Sequence, residues 1–316
     1  MSLPIEAERQ GAIPPAVKKA TFNYVYMVSY EANKLLPSSY LEVSKFYHKM
    51  NHFSNHFKLV LPLFIITFIS IAVAESPKFC TICTQQLRDD FSVDAWGNAF
   101  HTRHEKEGLF CNSCSRIISE GVTQGGYIYP DGRHMCSLCQ ITAVHHDSSI
   151  YRAFQSAINI LIMVGIKDIP QKIPIELVDL NQLNIKAGKY SHLKLKGFTQ
   201  IKSNTHSNSS PDNPYHIFIL SGLPQLEFEA VLTHELIHVW LDLNHIQLNK
   251  KNTEGFCNLG SYLIFTNDDT QFSQIHLKAM ENDPDYKYGT GFRYMKSLLL
   301  EMGWKNLIAK IRTFNE

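Results

Sequence analysis

The sequence lacks an excess of charge, a long apolar run and any tract rich in glycine or proline. Thirty Lys+Arg stand against 29 Asp+Glu, a formal charge of +1, so no global field would hold a nucleic-acid backbone through counterion release. Sixteen Gly and 13 Pro in 316 residues, without a period, exclude collagen-like and low-complexity chains. No internal repeat is visible. What is present is the apolar mass of a globular protein, 44% hydrophobic against 19% charged, and a length that suggests about two domains of roughly 150 residues each. Cysteine is nearly missing outside one stretch: six of the seven fall between Cys80 and Cys139.

The most apolar segment, Leu59 to Ala74 (LVLPLFIITFISIAVA), has 16 residues and contains Pro62, short of the roughly 20 that a spanning helix needs. Lys58 precedes it, Glu75-Ser76-Pro77 follows it, and it closes on Ala72-Val73-Ala74, the small-x-small pattern of a signal-peptidase site. The segment is internal, yet translation from Met50 instead of Met1 would give a signal of ordinary length. The sequence therefore predicts an exported product, periplasmic or secreted, cleaved near Ala74, with residues 1–58 a non-native or cytoplasmic extension. The remaining 242 residues carry 23 basic against 25 acidic side chains, nearly neutral. The alternative is an uncleaved membrane anchor formed by 59–74.

Within 78–140 stand Cys80-x2-Cys83, His101-x2-His104, Cys111-x2-Cys114 and Cys136-x2-Cys139. A two-residue gap lets a tight turn aim both ligands at one ion, and zinc takes four such donors tetrahedrally. Read in order they make two closed, structural sites, Cys80/Cys83/His101/His104 and Cys111/Cys114/Cys136/Cys139, in an arrangement that resembles a LIM domain. A second histidine replaces a cysteine, and six residues from Glu105 to Phe110 separate the sites where LIM has two. Both departures put the docking of the two fingers in question. Three disulfides are the alternative for an exported chain, but they would not require the paired histidines. Gly125-Gly126 and Asp131-Gly132 supply hairpin turns. Acidic residues interleave with the basic ones through this block, so no basic stripe marks it as a nucleic-acid finger.

Glu227 to Asn244 reads EFEAVLTHELIHVWLDLN, apolar at helical spacing with no Gly or Pro inside it. His234-Glu235-Leu236-Ile237-His238 puts two imidazoles one turn apart on one face with Glu235 beside them, the zincin pattern. Glu254, 16 positions past His238 on the next helical run, is the third ligand expected for a His₂Glu set that leaves one position for water. Asp242 and His245 compete with it; Asp242 would need a break in the helix, and His245 lacks the glycine turn of its pattern. Asn258 stands where gluzincins often carry a carboxylate that orients a ligand histidine. Cys257 reads as a small core residue. Tyr262, Tyr288 and Arg293 are open candidates for an oxyanion donor. His216 to Leu220 is a short apolar strand, expected to be the edge that pairs with an extended peptide. Ser149 to Ile166 reads as a helix, Ile173 to Val178 and Leu193 to Ile201 as strands, and Lys202 to Pro214 as a surface loop. Later helices run near Gln271 to Met280 and Arg293 to Met302, with Gly303 as a stop.

The order of a LIM-like module, an HExxH helix and a Glu-Gly segment resembles the plant LIM-containing, ubiquitin-activated peptidases that limit organ growth, the DA-one family, and their bacterial relatives. The words that carry the likeness are Leu220-Ser221-Gly222-Leu223-Pro224, the HELIHVWL helix, Thr253-Glu254-Gly255-Phe256-Cys257 and Gly289-Thr290-Gly291-Phe292-Arg293. The resemblance implies an α+β, gluzincin-like zinc metallopeptidase domain over 148–316, with His234, His238 and Glu254 as ligands, Glu235 as the catalytic carboxylate and a protein or peptide as substrate. No acidic, ubiquitin-interacting helix precedes the zinc module, so ubiquitin activation is not carried over. The rival reading is a zinc-stapled interaction module with an inactive peptidase-like domain.

Overall fold

The computed structural model describes residues 78–88, 90–188, 195–202 and 214–314. The extension 1–58, the expected signal or anchor 59–74 and nearly all of the expected loop 202–214 lie outside the described residues. Among the described residues, no helix is long and apolar enough to cross a membrane.

The first third is built from three antiparallel ribbons: β1 (Phe91–Val93) with β2 (Ala99–His101), β3 (Leu109–Phe110) with β4 (Ile117–Ile118), and β5 (Gly126–Ile128) with β6 (His134–Cys136). Such short strands bury little by themselves, and their small cores around Phe100 and Met135 are completed by cysteines. The two fingers do dock. The buried Asp94 carboxylate accepts the amides of Trp96, Asn98 and Ile117, each at 2.9 Å, and the Trp96 indole donates to the Cys114 carbonyl at 2.7 Å. These bonds tie the first finger to the second across the longer connection.

The remainder is mixed helix and sheet around one large apolar core. Helix α1 (Asp147–Met163) buries Ala153, Phe154, Ala157, Ile158 and Leu161, the three-to-four spacing seen in the sequence. A three-stranded sheet has the order β7 (Ile175–Val178), β9 (Tyr215–Leu220), β8 (Gly197–Ile201), with β7 parallel and β8 antiparallel to β9. The strand expected at the edge is therefore the central one. Ile217, Phe218, Ile219 and Leu220 are all buried, and a strand covered on both faces reads as an unbroken apolar run. The edge beside the HExxH helix is β8.

Between β7 and β8 lies α2 (Leu180–Ala187), capped by Asp179. After the sheet come α3 (Gln225–Leu243), α4 (Lys250–Thr266), α5 (Gln271–Asn282), a π turn at Tyr286–Thr290 and α6 (Gly291–Ile311). Gly303, at φ 74°, breaks α6 as a glycine can, but the helix resumes instead of stopping there. Leu307, Ile308 and Ile311 beyond the break return to the core.

Candidate metal centres

All seven cysteines are free, which removes the disulfide alternative. Cys80, Cys83, His101 and His104 bring one donor atom each within 4.8 Å of one another, as do Cys111, Cys114, Cys136 and Cys139. The separations suit zinc. A tetrahedron with Zn–S near 2.3 Å and Zn–N near 2.0 Å spaces neighbouring donors about 3.8 Å apart for two sulfurs and about 3.5 Å for a sulfur and a nitrogen. Cys114 and Cys136 sulfurs stand 3.7 Å apart, and the Cys83 sulfur is 3.5 Å from His101 Nδ1. Turn amides point back at the sulfurs, Ile82 to Cys80 and Cys139 to Cys136, each at 3.4 Å. Burial alone would raise the Cys80 thiol; the amides of Cys83, His101 and Ile82 outweigh it and bring the thiol down to about 6, toward the thiolate that a metal requires.

The third centre lies between α3 and α4. One turn of α3 sets His234 Nε2 3.2 Å from His238 Nε2, and Glu254 Oε2 reaches in from α4 to 3.4 Å and 3.6 Å from the same two atoms. Donors on one zinc ion at 2.0 to 2.2 Å would be about 3.3 to 3.5 Å apart, so the triangle has the size of one tetrahedral face. Burial opposes ionisation of Glu254, but the His234 and His238 imidazoles hold its carboxyl well below the usual range.

Asn258 accepts from His234 Nδ1 at 2.9 Å while its own amide donates to the Tyr288 carbonyl at 3.1 Å. That second bond fixes which end of the amide faces the ring. Nδ1 then carries the proton, and the Nε2 lone pair is turned toward the centre.

Glu235 is buried beside this triangle, and Thr199 of β8 donates to its Oε2 at 2.7 Å. Gly197 of the same strand lies so close that a methyl group there would meet Glu235 Oε1 at 2.5 Å. Neither contact was anticipated from the sequence; two residues on one face of a strand next to the helix are the only local sign. Asp242 is engaged instead by the Tyr215 hydroxyl at 2.8 Å. His245 sits past the end of α3 with φ 54°. Cys257 is a fully buried core residue, as read, but its sulfur also lies within 4.8 Å of nitrogens of His234 and His238. Burial pushes that thiol up to about 11.

Of the three oxyanion candidates, Arg293 is engaged by the carbonyls of Glu281 and Asp283 and the Thr290 hydroxyl. Tyr262 packs on Phe292 with the Lys296 ammonium over its ring. Tyr288 is the one beside the centre: burial and the nearby charges of Glu254 and Glu235 raise its phenol, which stays protonated.

The chain thus belongs to the mixed helix-and-sheet proteins that carry Cys/His clusters able to hold metal. Residues 193–274 match the family model described as DA1-like, Protein DA1. Two curated relatives from Arabidopsis thaliana align with it. Protein DA1-related 2 is 28% identical over 200 residues, covering 53% of this chain and 37% of the relative. Protein DA1-related 1 is 22% identical over 281 residues, covering 69% and 50%. The chain spans half or less of the length of these relatives. No solved structure matches it.

Proposed function

We propose that this protein is a zinc-dependent metallopeptidase of the zincin type, with His234, His238 and Glu254 as ligands of a catalytic ion and Glu235 as general base. The observation that supports it most directly is the face-sized triangle of His234 Nε2, His238 Nε2 and Glu254 Oε2 with a buried carboxylate next to it. Zinc held there would polarise a peptide carbonyl and lower the pKa of water toward about 7. The Glu235 carboxylate, oriented through Oε2 by Thr199, would take the proton of the attacking water and pass it to the leaving nitrogen. The Tyr288 hydroxyl would donate to the developing oxyanion. Since β8, among the described residues, pairs with β9 on one side only, its outer edge can take an extended peptide by strand addition, next to Glu235. The two cysteine-containing clusters would hold structural zinc, for a total of three ions.

Glu235→Gln tests the assignment. It should leave zinc content at three equivalents, two of them resistant to mild chelation, and abolish cleavage of an unfolded protein substrate. Retained cleavage would remove the general base. A fully zinc-loaded wild type that cleaves nothing would favour an interaction module.

A further inference from the structure

Glu227 opens α3 two turns before Glu235 and is 2% exposed. Both of its carboxylate oxygens are engaged, and by opposite parts of the molecule. The Ser113 hydroxyl donates to Oε2 and the Lys196 ammonium to Oε1. Ser113, itself 5% exposed, stands in the turn between Cys111 and Cys114. Lys196 is the residue before β8, and its carbonyl accepts the Leu220 amide at 2.9 Å, at the end of the β8–β9 ladder.

The His276 ring, stacked on Phe265 with centroids 4.7 Å apart and tilted against Phe272, is also held near Glu227. Burial opposes ionisation of Glu227, but the Lys196 charge and the hydrogen bonds outweigh it, and the carboxylate stays charged. A buried charge that loses one partner is left uncompensated, so these groups are constrained to move together. Other contacts between the two parts of the chain lead elsewhere. Arg133 donates to the Ser221 carbonyl at 2.9 Å, and Asp131 accepts the Leu180 amide at 2.9 Å; neither touches β8.

We propose that Ser113, Glu227 and Lys196 form a relay that makes the second cysteine cluster a positioning element of the candidate active site. The metal-ligand turn fixes Glu227, and Glu227 fixes Lys196 and with it the start of β8 over Glu235. The consequence for catalysis rests on the metallopeptidase reading; the mechanical coupling does not.

Ser113→Ala in the full chain is the test, because Arg133 and Asp131 still dock the two parts. Amide hydrogen exchange across Gly197–Ile201 should accelerate roughly tenfold, with all three zinc ions retained. The peptide KM should rise more than kcat falls, and Ser113→Thr should restore both readouts. Lys196→Met attacks the relay from the far end without touching a metal-ligand turn, and should speed exchange at residues 112–114. In the double variant, β8 should exchange no faster than in Lys196→Met alone. Unchanged β8 exchange in a zinc-loaded Ser113→Ala protein overturns the relay. If that variant loses zinc or does not fold, the Lys196→Met result decides alone, and unchanged exchange at 112–114 overturns the relay there. If the wild type cleaves no peptide, only the kinetic readouts are lost: the metallopeptidase reading then fails while the exchange data still judge the coupling.

Discussion

Replacing Gly255 with alanine would drive a methyl group into the backbone of Gly291, where α4 crosses the start of α6. The added carbon would stand 2.3 Å from both the carbonyl carbon and the carbonyl oxygen of Gly291. Ordinary contact begins near 3.5 Å, so the two helices must separate by about 1 Å. The adjacent residue in the chain is Glu254. Its Oε2 now lies 3.4 Å and 3.6 Å from the two imidazoles, and a metal site tolerates ligand errors of only about 0.2 Å.

Overpacking of this kind costs about 1–3 kcal/mol in stability. Affinity for the proposed catalytic zinc should fall at least as far as for loss of an outer-shell partner, about 10- to 100-fold. Chelator competition reads this directly. One of three zinc ions should leave Gly255→Ala at concentrations that keep the wild type loaded, while the two cysteine clusters hold theirs. Gly291→Ala approaches the same crossing from the other helix, its methyl 2.2 Å from the Lys251 carbonyl oxygen, and should show the same selective loss. A folded Gly255→Ala protein that binds all three ions with wild-type affinity would refute the argument that this crossing sets Glu254.

Two further outcomes follow from buried contacts. Gly222 has φ 77°, and a methyl group there would meet the Tyr129 hydroxyl at 2.0 Å; Gly222→Ala should lower the calorimetric midpoint by roughly 2–8 °C, and adding Tyr129→Ala should recover the part due to the clash. Burial depresses His276 from 6.5 to about 4, so the folded ring stays neutral where the unfolded one takes a proton. Stability should therefore fall as pH drops from 6.5 toward 4, by at most ~3 kcal/mol, less what the ring's partial exposure recovers from solvent. His276→Leu should flatten that slope in urea unfolding at about pH 7 and about pH 5.

The paired residues that meet at each candidate metal centre were legible because their signal is local. Cys-x2-Cys, His-x2-His and HExxH encode the geometry of one turn, and any fold that forms the turn brings the pair together. Helices α1 and α3 were legible for the same reason, through a repeat of three to four residues. Pairing order in the sheet is not local. The apolar run at 216–220 announced a strand, but whether it lies at an edge depends on β7 and β8, some 15 to 40 residues away in the chain. Gly303 was read as a stop and is only an interruption, because resumption of α6 depends on core contacts that Leu307, Ile308 and Ile311 make only once the other helices are in place.

The glycine words were the least interpretable part of the sequence and become intelligible as distances. Gly255 and Gly291 admit the helix crossing beside Glu254; Gly197 lets the β8 backbone lie against Glu235. At both places a side chain is missing where a carboxylate of the candidate centre has to be positioned to a fraction of an ångström. At the crossing of α4 and α6, a helix held off by a side chain could settle at several separations as rotamers change, whereas backbone in contact with backbone has one; at Gly197 the close neighbour is the Glu235 side chain itself. Glu254 and Glu235 come from different helices, and Glu235 alone shares a turn with the two histidines. Their placement follows from the closeness of these contacts, so the glycines belong to the same structural requirement as the histidines they accompany.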